Sequence, residues 1–278
     1  MTTLTLTPPA PTPLAAPVAH VPTKPRRFAL VRHSLTLTWR SLVKTARTPE
    51  ALLDVTIQPA VMLVIFVYIF GGAISGSTHD YLQYVLPGIL GMTIMQGAVA
   101  IGVNLNTDLS KGIFDRFRSL PIARSAPLVG AVLGDVVRYV AVAVSTVGVG
   151  YLMGFRAGSG PLGLLAGCAV AVVFALCLSW VSVFVGMLVR TSGAVQGVMF
   201  LLVMPLMFAS NVFVAPASMP SWMQGVVDVN PLTHLVGTMR ALMVGGPMGT
   251  HLLWTAVWCV GLVVTFLPAA LWAYRKRV

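Results

Sequence analysis

Between Pro161 and Val189 the chain carries no charged residue. A helix rises about 1.5 Å per residue, so about 20 apolar residues cross the ~30 Å hydrocarbon core of a bilayer. A run of that length has no place in a water-soluble fold, where a helix keeps one polar face. Similar runs lie at about 55–74, 84–103, 127–152, 193–213 and 252–274, with the Pro161–Val189 stretch holding a span at about 163–189. In lipid each such segment has to satisfy its own backbone N–H and C=O groups, which selects helix. The pattern predicts an all-α polytopic membrane protein with six transmembrane helices. Internal Gly and Pro do not oppose this, since both are frequent in membrane helices.

Charge sets the orientation. An average soluble domain is about 25% charged; this chain is 9% charged, yet its 18 Lys and Arg outnumber 7 Asp and Glu for a net charge of +11. A nucleic-acid binder would gather that excess on a polar face, whereas here it sits in short clusters between apolar runs. With the N-terminus in the cytoplasm, fifteen of the eighteen basic residues fall inside: those up to Arg47, those of the loop Asn104 to Ser125, Arg190, and Arg275 to Arg277. Arg156 and Arg240 fall outside and Arg138 within a span. The positive-inside rule then places both termini in the cytoplasm of a cell (plasma or inner) membrane.

Residues 1–23, rich in Thr, Pro and Ala, read as a disordered cytoplasmic tail ahead of a membrane domain over 24–278. Phe28, Val31, Leu35, Trp39 and Leu42 recur at helical spacing, with Arg32, Arg40, Lys44 and Arg47 on another face. That is the pattern of an N-terminal amphipathic helix lying in the membrane interface, or of a soluble helix packed on a partner. Thr48-Pro49-Glu50 then restarts the chain as cap, first helical residue and first-turn acid. Cys168, Cys177 and Cys259 lie in apolar runs without metal or redox spacing and read as small buried hydrophobes.

No HExxH, GxSxG or P-loop is present, and Asp135 is the one acid deep in a predicted span, so paired catalytic groups and metal ligands are missing. The chain reads as a non-enzyme. In the cytoplasmic loop Phe114, Phe117 and Leu120 share one face of a short helix that Pro121 ends, with Arg116 and Arg118 off that face. Exposed aromatics there suit a docking element, against the plainer reading of a basic loop that only sets topology. Asp135 and Arg138, at i and i+3 in the third span, read either as a neutral structural pair or as lining of a polar entrance. Met199, Phe200, Met204, Met207 and Phe208 in the fifth span are adaptable side chains suited to a substrate path or a dimer interface, and equally ordinary span residues. Pro220, Trp222, Asn230, Pro231 and His234 mark broken helices between spans five and six, read as external re-entrant helices forming an ordered cap or an exit gate.

The run Lys111-Gly-Ile-Phe-Asp-Arg-Phe-Arg-Ser-Leu-Pro-Ile-Ala-Arg-Ser125 resembles the cytoplasmic signature of type-2 ABC (ABC-2 type) exporter permeases, nearest the daunorubicin-resistance branch. The stretch from Val214 to Gln224, Asn230-Pro-Leu-Thr-His234 and Met239-Arg240-Ala241 is similar to that family's segment between spans five and six, and the likeness covers about 28–278. It implies six spans, an interfacial helix before the first, and a cytoplasmic coupling helix. It implies a second permease copy, forming a homodimer or a heterodimer with a similar permease, and two cytoplasmic ABC ATPase subunits that bind the ATP and Mg, with no cofactor in this chain. Ile113, Phe114, Phe117 and Leu120 would seat in a groove of the ATPase and Arg116 and Arg118 would meet its acids. The cargo implied is a hydrophobic or amphipathic drug-like compound or natural product, with lipid or polysaccharide as the alternative. A secondary transporter, which would need paired acids in matched repeats, is disfavoured. Membrane lipid is an expected partner and nucleic acid is not.

Overall fold

The computed structural model of the protein describes residues 49–112 and 126–277. The expected tail, the basic helix over 28–47, and loop residues Ile113, Phe114, Arg116, Phe117, Arg118 and Leu120 lie outside the described residues. Among the described residues there are helices and no strand.

Helix α1 (Pro49–Ile65) starts at the proline expected to open it, passes into a π turn (Phe66–Phe70), and continues as α2 (Gly71–Ser75). Gly76, at φ 68°, ends it in the left-handed region where a side chain would be strained. Ser77 then caps α3 (Thr78–Ser110), its Oγ accepting from the Asp80 N–H at 3.3 Å. At 33 residues α3 is longer than the predicted second span at both ends. It runs on through Asn104 into the expected loop because Leu105 and Asn106 are buried. The third span is α4 (Ala126–Gly134) and α5 (Val136–Leu152), joined at Asp135 with hydrogen bonds carried across: Asp135 N–H to Ala131 O at 3.3 Å and Tyr139 N–H to Asp135 O at 3.0 Å.

Next come α6 (Gly160–Leu188) and α7 (Ser192–Phe208), the latter capped by Thr191 Oγ1. Helix α7 ends short of Phe213, the expected boundary, because Ser210, Asn211 and Val212 are buried as a turn rather than a further helical turn. After a 3₁₀ turn (Pro216–Ser218) follow α8 (Ser221–Val229), α9 (Pro231–Met243) and α10 (His251–Arg277). Among the described residues five stretches are long and apolar enough to cross a membrane: Ile57–Ser75, Thr78–Ser110, Leu128–Leu152, Gly160–Leu188 and His251–Arg277. Apolar α7, at 17 residues, sits at the short end of the ~17–25 that spanning takes.

Helices α3 and α6 form the centre. α3 packs on α6, α7, α5 and α1, and α6 also packs on α10 and α9. The two central helices meet backbone to backbone. A Cβ on Gly102 would collide with the Ser182 carbonyl oxygen, and one on Gly186 would lie 2.6 Å from the Gly102 oxygen. Gly102 and Asn106 on α3 thus face Ser182 and Gly186 on α6, each pair one helical turn apart. Small residues let membrane helices approach this closely, where packing rather than water expulsion drives association.

The same corner closes the end of α6. The last carbonyls of a helix have no partner within it. Here Asn106 Nδ2 donates to Gly186 O at 2.9 Å and Val189 O at 2.7 Å. Arg277 Nη1 donates to Gly186, Met187 and Val189 oxygens at 2.9, 2.7 and 2.9 Å. This end of the bundle also carries Lys111 and Arg190 and is called the basic end below.

Candidate functional site

One side of the bundle, between α1, α3 and α7, encloses a half-open cavity of about 350 Å³. Helix α7 supplies Gln196, Phe200, Val203, Met204, Met207 and Phe208. Their spacing of three and four places them along one helical face. Helix α3 supplies Met92, Gln96 and Val99, α1 supplies Met62, the π turn supplies Phe66, and the turn after α7 supplies Phe213. Gln196 stands about one turn from the start of α7 at the basic end, and Phe208 is its final residue.

The far end of the cavity is aromatic. Phe66 stacks on Phe213 with centroids 4.3 Å apart and on Phe70 at 5.4 Å, while Phe208 lies 6.3 Å from Phe213. The π turn widens the helix where Phe66 leaves it, a device that recurs at functional positions. Nearer the middle, Gln96 Oε1 accepts from Gln58 Nε2 at 3.1 Å and Gln96 Nε2 sits 3.9 Å from the Met207 sulfur.

Of the five residues picked out on the fifth span, Phe200, Met204, Met207 and Phe208 line this cavity and Met199 does not. Met199 is 1% exposed and faces α6, where Ser182 Oγ donates to its sulfur at 3.8 Å. Met62, Phe66, Met92, Gln96 and Phe213 escaped the sequence reading. Gln96 carried a usable signal, as a lone amide inside an apolar run.

Asp135 and Arg138 pair at 3.2 Å, and Arg138 also donates to the Gly97 carbonyl of α3. Neither lines the cavity. Gly97 follows Gln96 in sequence but lies about 100° around the helix from it. Tyr139 beside them shares a hydrogen bond with Ser179 of α6 at 2.8 Å. The pair is thus held by itself and by the backbone of α3, with Arg138 Nε buried and unpartnered.

The segment between α7 and α10 is built around Asn230. Its Nδ2 donates to Leu206 O at 2.7 Å and to Ala209 O, while its Oδ1 accepts from the Leu232 N–H at 2.9 Å. One amide therefore caps the end of α7 and the start of α9, whose first residue is Pro231. Replacing Asn230 by Asp keeps the acceptor for Leu232 and aims a carboxylate oxygen at two carbonyls. We expect Asn230→Asp to lower unfolding stability by about 2 kcal/mol, by losing two buried hydrogen bonds and adding repulsion. Thermal unfolding of the detergent-solubilised protein reads this, and an unchanged midpoint would contradict it.

His234 Nδ1 lies 3.2 Å from His251 Nδ1, and its ring stacks on Trp254 at 5.7 Å. Burial pushes the His234 imidazole below its ordinary value, and His251 pushes it the same way. Pro220 precedes α8, and Trp222 is exposed on it. None of Pro220, Trp222, Asn230, Pro231 and His234 lines the cavity. The sequence also hid the role of Arg240. Its guanidinium lies 3.7 Å over the Tyr84 ring and donates to Tyr84 O and Asn211 O at 3.2 Å each, pinning the turn after α7 onto α3.

Residues 32–244 match the model of the ABC-2 type transporter family. The chain is 40% identical over 258 residues to the daunorubicin resistance ABC transporter permease protein DrrB1 of Streptomyces coeruleorubidus, covering 91% of this chain and 90% of that protein. It is 25% identical over 248 residues to the probable doxorubicin resistance ABC transporter permease protein DrrC of Mycobacterium tuberculosis, covering 88% and 89%. The inner membrane transport permease YadH of Escherichia coli is 23% identical over 195 residues, covering 66% and 73%.

Proposed function

The chain belongs to the ABC-2 type transporter family, and from that membership we propose that it is the permease subunit of an ATP-driven exporter. Its cargo is a hydrophobic or amphipathic drug-like compound or natural product, taken from the cytoplasm or inner leaflet. The observation that carries this is the cavity: ten of its twelve lining residues are Met, Phe or Val. Such side chains accept varied apolar shapes. The resistance functions in the relatives' names favour drug-like cargo. A sugar polymer would need a wider, more polar path than about 350 Å³ lined this way.

In this reading α7 is the fifth of six crossings and both termini are cytoplasmic. Two ATPase subunits bind ATP and Mg, and a second permease copy completes the pathway. Ile113, Phe114, Phe117 and Leu120 seat in a groove of the ATPase, with Arg116 and Arg118 against its acids. The continuity of α3 supports a mechanical link. It ends at Ser110 and supplies Met92, Gln96 and Val99 to the cavity, so a push on the loop is delivered along one rigid helix. Asp135 and Arg138 brace α3 from the side. Pro220, Trp222, Asn230, Pro231 and His234 form the external cap over the exit.

The test is export of a fluorescent amphipathic drug from cells carrying this chain with its ABC ATPase. Efflux is expected only with both subunits present and with an intact ATP site on the ATPase. Efflux that persists without ATP and stops when the proton gradient is collapsed would overturn the reading in favour of secondary transport.

A further inference from the structure

The polar chemistry of the cavity narrows what it can hold. Among the described residues, no Asp, Glu, Lys, Arg or His lines it, and its two polar side chains are the amides of Gln96 and Gln196. The charges of the third span, Asp135 and Arg138, are paired with each other and, through Arg138, with the Gly97 carbonyl, and neither lines the cavity. A charged ligand would therefore enter a low-dielectric space with no counter-ion, at a desolvation cost that grows with burial. Phenylalanine faces attract cations, but more weakly than a carboxylate in the same place.

The amides, by contrast, have capacity to spare. Gln96 gives its oxygen to Gln58, which fixes its orientation, while its N–H₂ group meets only the sulfur of Met207, a weak acceptor, at 3.9 Å. Among the described residues Gln196 makes no hydrogen bond, and it is exposed at the rim. An oriented donor in the middle and a free amide at the basic end suit a ligand with carbonyl, ether or hydroxyl oxygens. The stacked rings of Phe66 and Phe213 suit a flat apolar body at the other end.

We infer that the cavity selects its ligand in the uncharged state: a neutral amphiphile with hydrogen-bonding oxygens, read by Gln96 and Gln196, and not an ammonium or carboxylate ion. That this ligand is transported cargo rests on the exporter reading above. Its binding does not, and the two are measured apart. An amine would enter as its free base.

The test uses the full-length permease in phosphatidylcholine nanodiscs, where lipid charge does not sort the probes, with empty nanodiscs as baseline. Two derivatives of one amino-anthracycline fluorophore are titrated, the uncharged N-acetyl form and the permanently cationic N-trimethyl form. The N-acetyl form is expected to bind at least tenfold more tightly. Gln196→Leu, at an exposed position without hydrogen bonds, should weaken it severalfold, and Gln96→Leu more strongly. Gln196→Glu should raise affinity for the cation tenfold or more. The proposal is overturned if the cation binds as tightly as the neutral form, if neither binds above baseline (as when a lipid tail or a second copy fills the space), or if both Leu variants bind like wild type. Proteoliposomes with the ATPase read transport separately. Selective binding with no ATP-dependent movement would sink the exporter reading and leave the neutral-ligand selectivity standing.

Discussion

Replacing Gly102 by Val is expected to abolish the folded protein. A Cβ at this position would run into the carbonyl oxygen and carbon of Ser182, which are backbone atoms and cannot rotate aside. The reciprocal approach of Gly186 to the Gly102 carbonyl means that α6 cannot shift along α3 without losing a second contact. Relief requires the two helices to part along their whole seam, which also pulls Asn106 from the carbonyls it caps. Overpacking a tight core costs about 1–3 kcal/mol and sometimes more, and membrane helices held by close packing have little else to offset it. Even Gly102→Ala should cut membrane-inserted protein severalfold and lower the unfolding temperature. Gly148→Ala is the control, since nothing lies within 4 Å of its Cβ. Fluorescence-detected size-exclusion and thermal unfolding in detergent read both. Wild-type behaviour of Gly102→Ala would show that the close approach of α3 and α6 is wrong.

The second large effect is on coupling. Combining Phe117→Ala with Arg118→Glu should eliminate export while leaving the permease in the membrane at its normal level. On the docking proposed above, truncating Phe117 removes an aromatic anchor, at a cost of about 2 kcal/mol or more, and reversing Arg118 sets a negative charge against the proposed acids of the ATPase. Together about 3 kcal/mol weakens docking roughly 100-fold. Co-purification of the ATPase should fall accordingly, and cargo should no longer stimulate its ATP hydrolysis. Unchanged co-purification together with unchanged stimulation would mean that the loop around Phe117 is not the point of contact. The Gly102 substitution removes the protein, whereas this one leaves an intact but idle permease, so the two failures look different in the same membranes.

The helical class was legible because bilayer thickness fixes a length scale that uncharged runs either reach or miss. Pro161–Val189 reaches it plainly. The run at 193–213 was harder, since its last residues are as apolar as a helix but turn at Ser210 and Asn211 to meet α3. The Met and Phe content of α7 drew attention to Phe200, Met204, Met207 and Phe208, which line the cavity, and equally to Met199, which is of the same residue type but faces α6. Gln96 left a trace in the sequence, as a lone amide inside an apolar run. Met62, Phe66 and Phe213 left none, because they meet only through packing of segments far apart in sequence, and no periodicity records that. Asn230 was noticed as part of a motif, yet its double cap depends on where α7 ends. Arg240, read in the sequence as an external charge and as part of the Met239-Arg240-Ala241 stretch, is a half-buried staple on Tyr84, which became visible once α9 lay against α3.

The closure of α6 has a consequence for how the chain is made. Its end is sealed by two donors on opposite sides of it in sequence: Asn106, 80 residues before Gly186, and Arg277, 91 after it. During synthesis the first can engage as soon as α6 enters the bilayer, while the second must wait for α10 to be threaded through. Until then the carbonyl of Met187 lacks its Arg277 donor, and the bundle holds together by its Gly102–Gly186 seam. Arg277 is thus the later of the two donors to be synthesised, and without it the end of α6 keeps its Asn106 cap at Gly186 and Val189 but lacks the Arg277 donor at Met187.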